Sequence, residues 1–414
     1  MRISTKMIYD TGTTQMNTLQ AALNKTQMQL STNRKNLTPS DDPIASARAL
    51  EVTQSQSINT QLVTNRDSAK TSLSLETNAL ASVTDLLQDV TSLVVTAGNA
   101  TYTDSDRAAL ATELEGRLTD LLAVANTADG SGNYLFSGYK ATTQPFTPNA
   151  TGATYQGDQG QRTLQVGSPR TMATSDSGSA VFESNLTGNG TFTTAADAGN
   201  VTRGGSGIIS AGSVSDATKL TGHDYSIKFS TSTDALTNTT STFYTVTDDT
   251  TGQPVPDNTP IAYKAGDSIS FDGQALTITG KPADGDIFTT KPSTRESVFT
   301  TITNLLGVLR TGASGDAAQA AMTNGLNAAH TLLDTASNNV LTIQASVGSR
   351  LKELDYLDTS GSDLDIQYAT TLSGLQDLDQ VAAISLFTQQ QTTLQAAQKS
   401  FTSMTSLSLF NYIS

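Results

Sequence analysis

A chain of 414 residues with 36% apolar and 15% charged side chains has room for two or three domains and enough apolar material for a packed core, which excludes a compositionally disordered chain. Its net charge of −14, from 24 basic against 38 acidic residues, argues against nonspecific attraction to nucleic acid or anionic membrane, because each phosphate contact needs a cation. With no cysteine there is no disulfide, thiolate nucleophile or cysteine-ligated metal, and no run reaches the roughly 18 apolar residues of a membrane span.

The chain opens on MRISTKMIYD, which has charge but no apolar h-region or small-residue cleavage site, so no conventional secretory signal is expected. Met16, Leu19, Leu23, Thr26, Leu30, Asn33 and Leu37 then follow at alternate spacings of three and four. This is a heptad seam interrupted by two polar positions, too thin to hold a solitary helix. LTPSDDPI at 37–44 stops it: two prolines and an aspartate pair mark a boundary, with Ser40, Asp41 or Asp42 able to cap the next helix and Pro43 in its first turn.

From Ile44 to Ala97-Gly98 the chain is free of proline and carries Ala69, Leu73, Leu80, Val83, Leu87, Val90 and Val94 on one stripe. A helix of that length would be a rod of about 80 Å. A third helix starts at Asp104 or Ser105 with Leu110, Leu114, Leu118, Leu121 and Ala125 on one face and ends at Asp129-Gly130, so the two are expected to form an antiparallel hairpin. Residues 130–290 then hold 21 of the 31 glycines and seven of the ten prolines, which forces frequent turns. Alternating segments at Tyr225–Phe229, Phe243–Val246, Ile269–Leu276 and Asp286–Thr289 predict an antiparallel β domain without internal repeats. Within it, 171–222 reads as loops or weak edge strands.

Helices are expected to resume at Ser293, to break at Gly312–Gly315 and to restart near Asp316. Met322, Leu326, Ala329, Leu333, Ala336, Val340, Ile343, Val347, Leu351 and Leu354 form the most regular stripe of the chain and belong in a bundle with the N-terminal rod. A break is expected at Ser360-Gly361-Ser362. The last fifty residues, from Tyr368, then place Ile384, Phe387, Leu394 and Phe401 on one heptad line, with Leu375, Ala382 and Leu386 beside it and glutamine and threonine between.

The expected fold class is therefore α+β: a long helical bundle made by both flanks (41–149 and 291–361), an inserted antiparallel β domain (150–290), and terminal assembly helices (1–40 and 362–414). The terminal seams are read as subunit-interface surfaces that order when neighbours bury them: Met16, Leu19, Leu23, Leu30 and Leu37 at one end, and Leu375, Ala382, Ile384, Leu386, Phe387, Leu394, Phe401 and Leu407 at the other. Their opposite charge, five bases against one acid in 1–40 and one base against four acids in 360–414, is a minor term. No catalytic set emerges, and no metal or cofactor site is expected. His223 and His330 have no second imidazole near in sequence, Asp355, Asp358, Asp363 and Asp365 lack the EF-hand spacing, and Asp41-Asp42 reads as a helix start.

MRISTKMIYD with its seam, LTPSDDPIASARAL at 37–50, GNYLFSGYKATTQPF at 132–146 and the SLSLFNYIS ending together resemble the bacterial flagellin family. The likeness is stronger to its hook-filament junction members than to its filament subunits, since Arg34-Lys35-Asn36-Leu37, Asp-Asp-Pro-Ile-Ala at 41–45 and Asn411-Tyr412-Ile413-Ser414 depart from the usual filament patterns. Residues 150–290 carry no part of the match. The resemblance implies a flagellin-like fold, a non-enzymatic structural role joining hook to filament, and a platform for flagellin polymerisation. It also implies self-assembly in a junction layer between hook-associated protein 1 and flagellin, type III export to an extracellular place on the flagellum, and an export chaperone on the C-terminal helix. Filament flagellin is the alternative within the family; a secreted adhesin whose β domain binds a ligand is the alternative outside it.

Overall fold

Helices make up both flanks of the described chain. The computed structural model describes residues 5–234, 239–257 and 259–410. Its helices are α1 (Thr5–Thr32), α2 (Pro43–Ala97), α3 (Asp104–Ala125), a single turn α4 (Asn200–Arg203), α5 (Val298–Arg310), α6 (Asp316–Gln376) and α7 (Gln380–Phe410). Local chemistry sets the boundaries. The Asp42 carboxylate accepts the Ala45 N–H at 2.9 Å to cap α2, with Pro43 as its first residue. A reciprocal pair caps α3, in which Thr103 Oγ1 accepts the Asp106 N–H and the Asp106 carboxylate accepts the Thr103 N–H at 2.9 Å.

Contacts divide the chain into two compact units, Met1–Asn65 with Tyr356–Ser414, and Arg66–Asp355. In the second unit the predicted stripes are buried: Ala69, Leu73, Leu80, Val83, Leu87, Val90 and Val94 on α2, and Met322, Leu326, Leu333, Val340, Val347 and Leu354 on α6. Lys70 lies 2.5 Å from Asp355, and Gly98 lies against Leu326, so within this unit α2 and α6 run antiparallel. Arg117 on α3 reaches Asp89 on α2 at 3.4 Å, and Arg310 on α5 reaches Glu115 on α3. These exposed ion pairs add little; the buried stripes hold the bundle.

Among the described residues every strand pairing is antiparallel. One sheet orders its strands as Gln253–Val255, Thr240–Asp248, Tyr225–Thr233, Ile287–Pro292 and Phe192–Ala196, with Ile261–Ala262 also on Thr240–Asp248. The second joins Ser268–Phe271, Gln274–Thr279, Ile208–Ile209 and Ser213–Val214. Alternation sends Tyr225, Ile227 and Phe229 inward, where they meet Val246, Ile269, Phe271, Leu276, Ile278 and Phe288 in one core. The expected single segment Ile269–Leu276 is a hairpin, turned by Asp272 and Gly273 at positive φ.

A separate aromatic cluster roots the insertion in the bundle. The Phe146 ring sits 5.1 Å from Tyr155, 5.3 Å from Phe182 and 4.9 Å from Phe299 of α5, while Phe136, just after α3, packs edge-on against Phe182 at 5.4 Å. Gly152 (φ +113°) is required here, because a Cβ would stand 2.6 Å from the Phe299 backbone.

Helix boundaries are corrected in several places, the first being α3, which ends at Ala125 with Asn126 as its C-cap and not at Asp129-Gly130. Helix does not resume at Ser293: the strand runs to Pro292, Arg295–Glu296 pairs with Asn185–Leu186, and α5 begins at Val298. Nor does the chain break at Ser360–Ser362, since α6 continues through it to Gln376. A mid-helix glycine costs only about 1 kcal/mol relative to alanine. Gly361 is buried, and its carbonyl accepts the Asn59 Nδ2–H at 2.9 Å, a buried bond that offsets the cost. The break falls at Asp377–Asp379, so α7 starts later than the reading from Tyr368 or 362 placed it, and the Asp379 carboxylate caps it through the Ala382 N–H at 3.0 Å.

Candidate functional site

The first unit holds both terminal helices, and within the chain α1 lies antiparallel to α7. At one end the Tyr9 and Phe401 rings are 5.2 Å apart. At the other Asn33 Oδ1 accepts from Gln380 Nε2 at 3.0 Å. Phe401 lies over Gly12, where a Cβ would come 2.6 Å from the ring; glycine here makes a seat for the aromatic ring.

The turns joining the helices are zipped together. Lys35 N–H donates to the Gln376 carbonyl at 2.8 Å and Leu378 N–H to the Asn33 carbonyl at 3.3 Å, forming a short antiparallel bridge between Arg34 and Asp377. Asn33 takes φ +54° to make the turn, a conformation that asparagine tolerates better than most residues. Leu37 and Leu375, predicted on opposite flanks, line one cavity of about 140 Å3 with Pro39 and Ala49.

Asp41 organises the α1–α2 turn. Its carboxylate takes the Lys25 ammonium at 2.7 Å and the Leu37 and Thr38 N–H groups at 3.0 and 3.1 Å. The lysine, aided by these backbone donors, holds the Asp41 carboxyl down at about 2. A lowered value contributes stability that is present above the ordinary 3.8 and is lost as pH falls toward 2. Following the Leu37 and Thr38 amide resonances through an acid titration should therefore give a midpoint near 2, moving up toward 3.8 in Lys25→Met; an unmoved midpoint would show that the lysine is not the cause.

Not all predicted interface residues share one environment. Met16, Leu19, Leu23, Leu30, Leu37 and Leu375 are half-buried, as are Phe387 and Phe401, and Leu394 is buried within the chain. Ile384 and Leu386 remain 56% and 45% exposed, and Ala382 is exposed. The Leu407 side chain falls outside the described residues, as do residues 1–4 and 411–414 of the two terminal motifs. The heptad line 384–387–394–401 thus splits: Ile384 stays open, Phe387 is half-buried, Leu394 is buried, and Phe401 meets Tyr9 and Gly12 of α1. The sequence reading missed Tyr9, Gly12 and buried Ala383; a glycine one turn after a tyrosine inside a helical stretch is the signal that marks such a seat. It also missed further open apolar groups on α1, α2, α6 and α7, namely Met7, Ile8, Met28, Ile44, Leu50, Ile58, Leu364, Ile366, Val381 and Met404.

Among the described residues no group of acidic or histidine side chains is arranged to hold a metal, and no helix is long and apolar enough to cross a membrane. His223 Nδ1 lies 2.7 Å from Asp248 Oδ2. Asp248 also accepts the Thr250 and Thr251 N–H groups at 2.9 and 3.1 Å, which makes this pair the brace of a turn.

The family described as the bacterial flagellin N-terminal helical region matches residues 3–141, which contain α1, α2, α3 and the Tyr134–Gly138 segment. Over 414 residues, 99% of both chains, the sequence is 30% identical to flagellar hook-associated protein 3 of Salmonella typhimurium. The chain belongs to the flagellar hook-associated protein 3 family. Two solved members share its fold: the flagellar junction protein FlgL of Legionella pneumophila, at TM-score 0.69 and 28% identity over 80% of this chain and 100% of that one, and FlgL of Xanthomonas campestris, at TM-score 0.70 and 29% identity over 78% and 99%. As a hook-associated protein 3 family member the chain keeps the flagellin-like plan of helical flanks around an antiparallel insertion, and Asp41, Asp42 and Pro43 lie inside the matched region.

Proposed function

We propose that the protein is a structural subunit of the bacterial flagellum that joins hook to filament and assembles through its first unit. One observation carries the assembly reading. Although the first unit is the smaller of the two, most of the exposed large apolar side chains among the described residues lie in it. Scattered exposed apolar residues are ordinary, but a concentration of them on four neighbouring helix segments marks an interface. Neighbouring subunits would cover Ile384, Leu386, Val381, Ile44 and Ile58, while the α1–α7 pair supplies a partly ordered platform.

In this reading the subunit forms a junction layer with hook-associated protein 1 on one side and flagellin on the other, reaches the outside through the flagellar export channel, and is held by an export chaperone on α7 beforehand. The test is deletion of the gene in the native bacterium. Intact hooks without filaments, and flagellin shed into the medium, are expected; normal filaments would refute the junction role. Complementation with a chain in which about residues 192–292 are replaced by a short linker, leaving Phe182 and Asp176 in place and joining the arms where Ser293 N–H meets the Thr191 carbonyl, separates assembly from any binding role of the insertion, because filaments should return without it.

A further inference from the structure

Glu76 stands on α2 with 1% of its surface exposed, at the meeting of α2, α6 and the segment 160–178. Its Oε1 accepts the Asp176 N–H at 3.0 Å, and its Oε2 has no hydrogen-bond partner. Asp176, also buried, carries the second carboxylate. The surrounding donors are already committed to it: Arg350 of α6 pairs with Asp176 Oδ2, and Gln161 donates to Asp176 Oδ1 at 2.7 Å. The remaining reach of Arg350 goes to the Ala173 carbonyl at 3.2 Å and toward Ser346. The other cations of these elements are engaged elsewhere, Arg162 with Ser175 Oγ at 3.3 Å and with the Tyr134 and Leu135 carbonyls, Arg170 with Glu353 at 2.7 Å and Lys70 with Asp355, while Arg66 donates to the Val166 carbonyl at 3.1 Å. Two buried carboxylates therefore share one guanidinium, and the guanidinium is spent on Asp176. A second buried anion without its own cation is expensive, and taking up a proton relieves it.

We propose that Glu76 and Asp176 form a proton lock, in which one proton held on Glu76 removes its charge beside Asp176 and lets α2 and the 160–178 segment stay packed with Arg350 of α6, and its departure with rising pH loosens that packing. Burial, reinforced by the negative charge of Asp176, pushes the Glu76 carboxyl up to about 8 from an ordinary 4.5. Between those values the folded chain carries a proton that the unfolded chain has released. The lock's contribution is complete below about 4.5 and is lost as pH rises to about 8. Burial also raises Glu183 and Asp286, so the lock is isolated by comparing variants, not from the pH profile of the native chain alone.

The test uses the full chain. Infrared spectra of the native protein at neutral pH should contain the C=O stretch of a buried protonated carboxylic acid, which bleaches as pH rises through about 8 and is missing in Glu76→Gln. Over about pH 5 to 8 the unfolding constant of the native chain should rise relative to that of Glu76→Gln by up to about tenfold per pH unit. Absence of the band, its persistence in Glu76→Gln, or parallel stability profiles would overturn the lock. Should Glu76→Gln fail to fold, Asp176→Asn serves in its place: removing the neighbouring negative charge should move the bleaching midpoint to lower pH, and an unmoved midpoint would overturn the pairing.

Discussion

The double variant Ile384→Asp, Leu386→Asp is expected to abolish filament formation while leaving the isolated chain's helix content and melting temperature unchanged. Both side chains are about half open to solvent in the single chain, so a carboxylate there can stay hydrated and costs little intramolecular packing. In an assembled layer the same carboxylates would be buried without a cation. Leaving one uncompensated charge in an interface costs about 3 kcal/mol or more, which raises the concentration needed for assembly by more than about a hundredfold. The measurement is a complementation assay for filaments beside thermal melts of the purified variant. Normal filaments would show that this face is not covered by a neighbour. Leu394→Asp is the contrasting control: Leu394 is buried within the chain, so its replacement should disturb α1–α7 pairing already in the monomer. Phe401 belongs with Leu394, because it rests on Gly12 and Tyr9. The structure therefore separates residues that the heptad line alone had treated as one class.

The division between legible and illegible features follows from the range of the forces involved. Heptad spacing reports which face of a helix is apolar, and the stripes through Leu73, Leu80 and Leu87 on α2 and Leu326, Leu333 and Val340 on α6 are buried as that spacing predicts. Helix starts at Pro43 and Asp316 were equally readable, being set by residues adjacent in sequence. Long-range contacts were not. Gly361 keeps its helix because Asn59, some three hundred residues earlier, donates to its carbonyl, and Ser-Gly-Ser alone reads as a break. The zipped turns joining Asn33 to Leu378 and the pairing of Glu76 with the Asp176 amide likewise join positions whose types carry no mutual signal. In the insertion, alternation found the strands of the principal core, whereas the two- and three-residue strands between 163 and 214 depend on their partners and show no periodicity.

The largest expected loss of stability comes from Phe146→Ala. Phe146 is wholly buried and meets three other rings, and Asn126 clamps its backbone by accepting the Phe146 N–H at 2.9 Å and donating to its carbonyl at 2.9 Å. The clamp holds the backbone in place, so the site cannot collapse around a smaller side chain and most of the cavity persists. Such truncations cost about 3–5 kcal/mol, equivalent to a fall in melting temperature of about 5–8 °C for a unit of this size. The loss should appear in the transition of Arg66–Asp355, and the double variant Phe146→Ala, Phe299→Ala should cost less than the sum of the single changes by about 0.5 kcal/mol or more, since the two rings share one contact. Strict additivity, or a loss below about 1 kcal/mol, would mean that the cluster does not fasten the insertion to α5. If the cluster does fasten it, the same variant should free the insertion for limited proteolysis while leaving filament formation intact, because the root of the insertion and the assembly face proposed around Ile384 and Leu386 belong to different units of the chain.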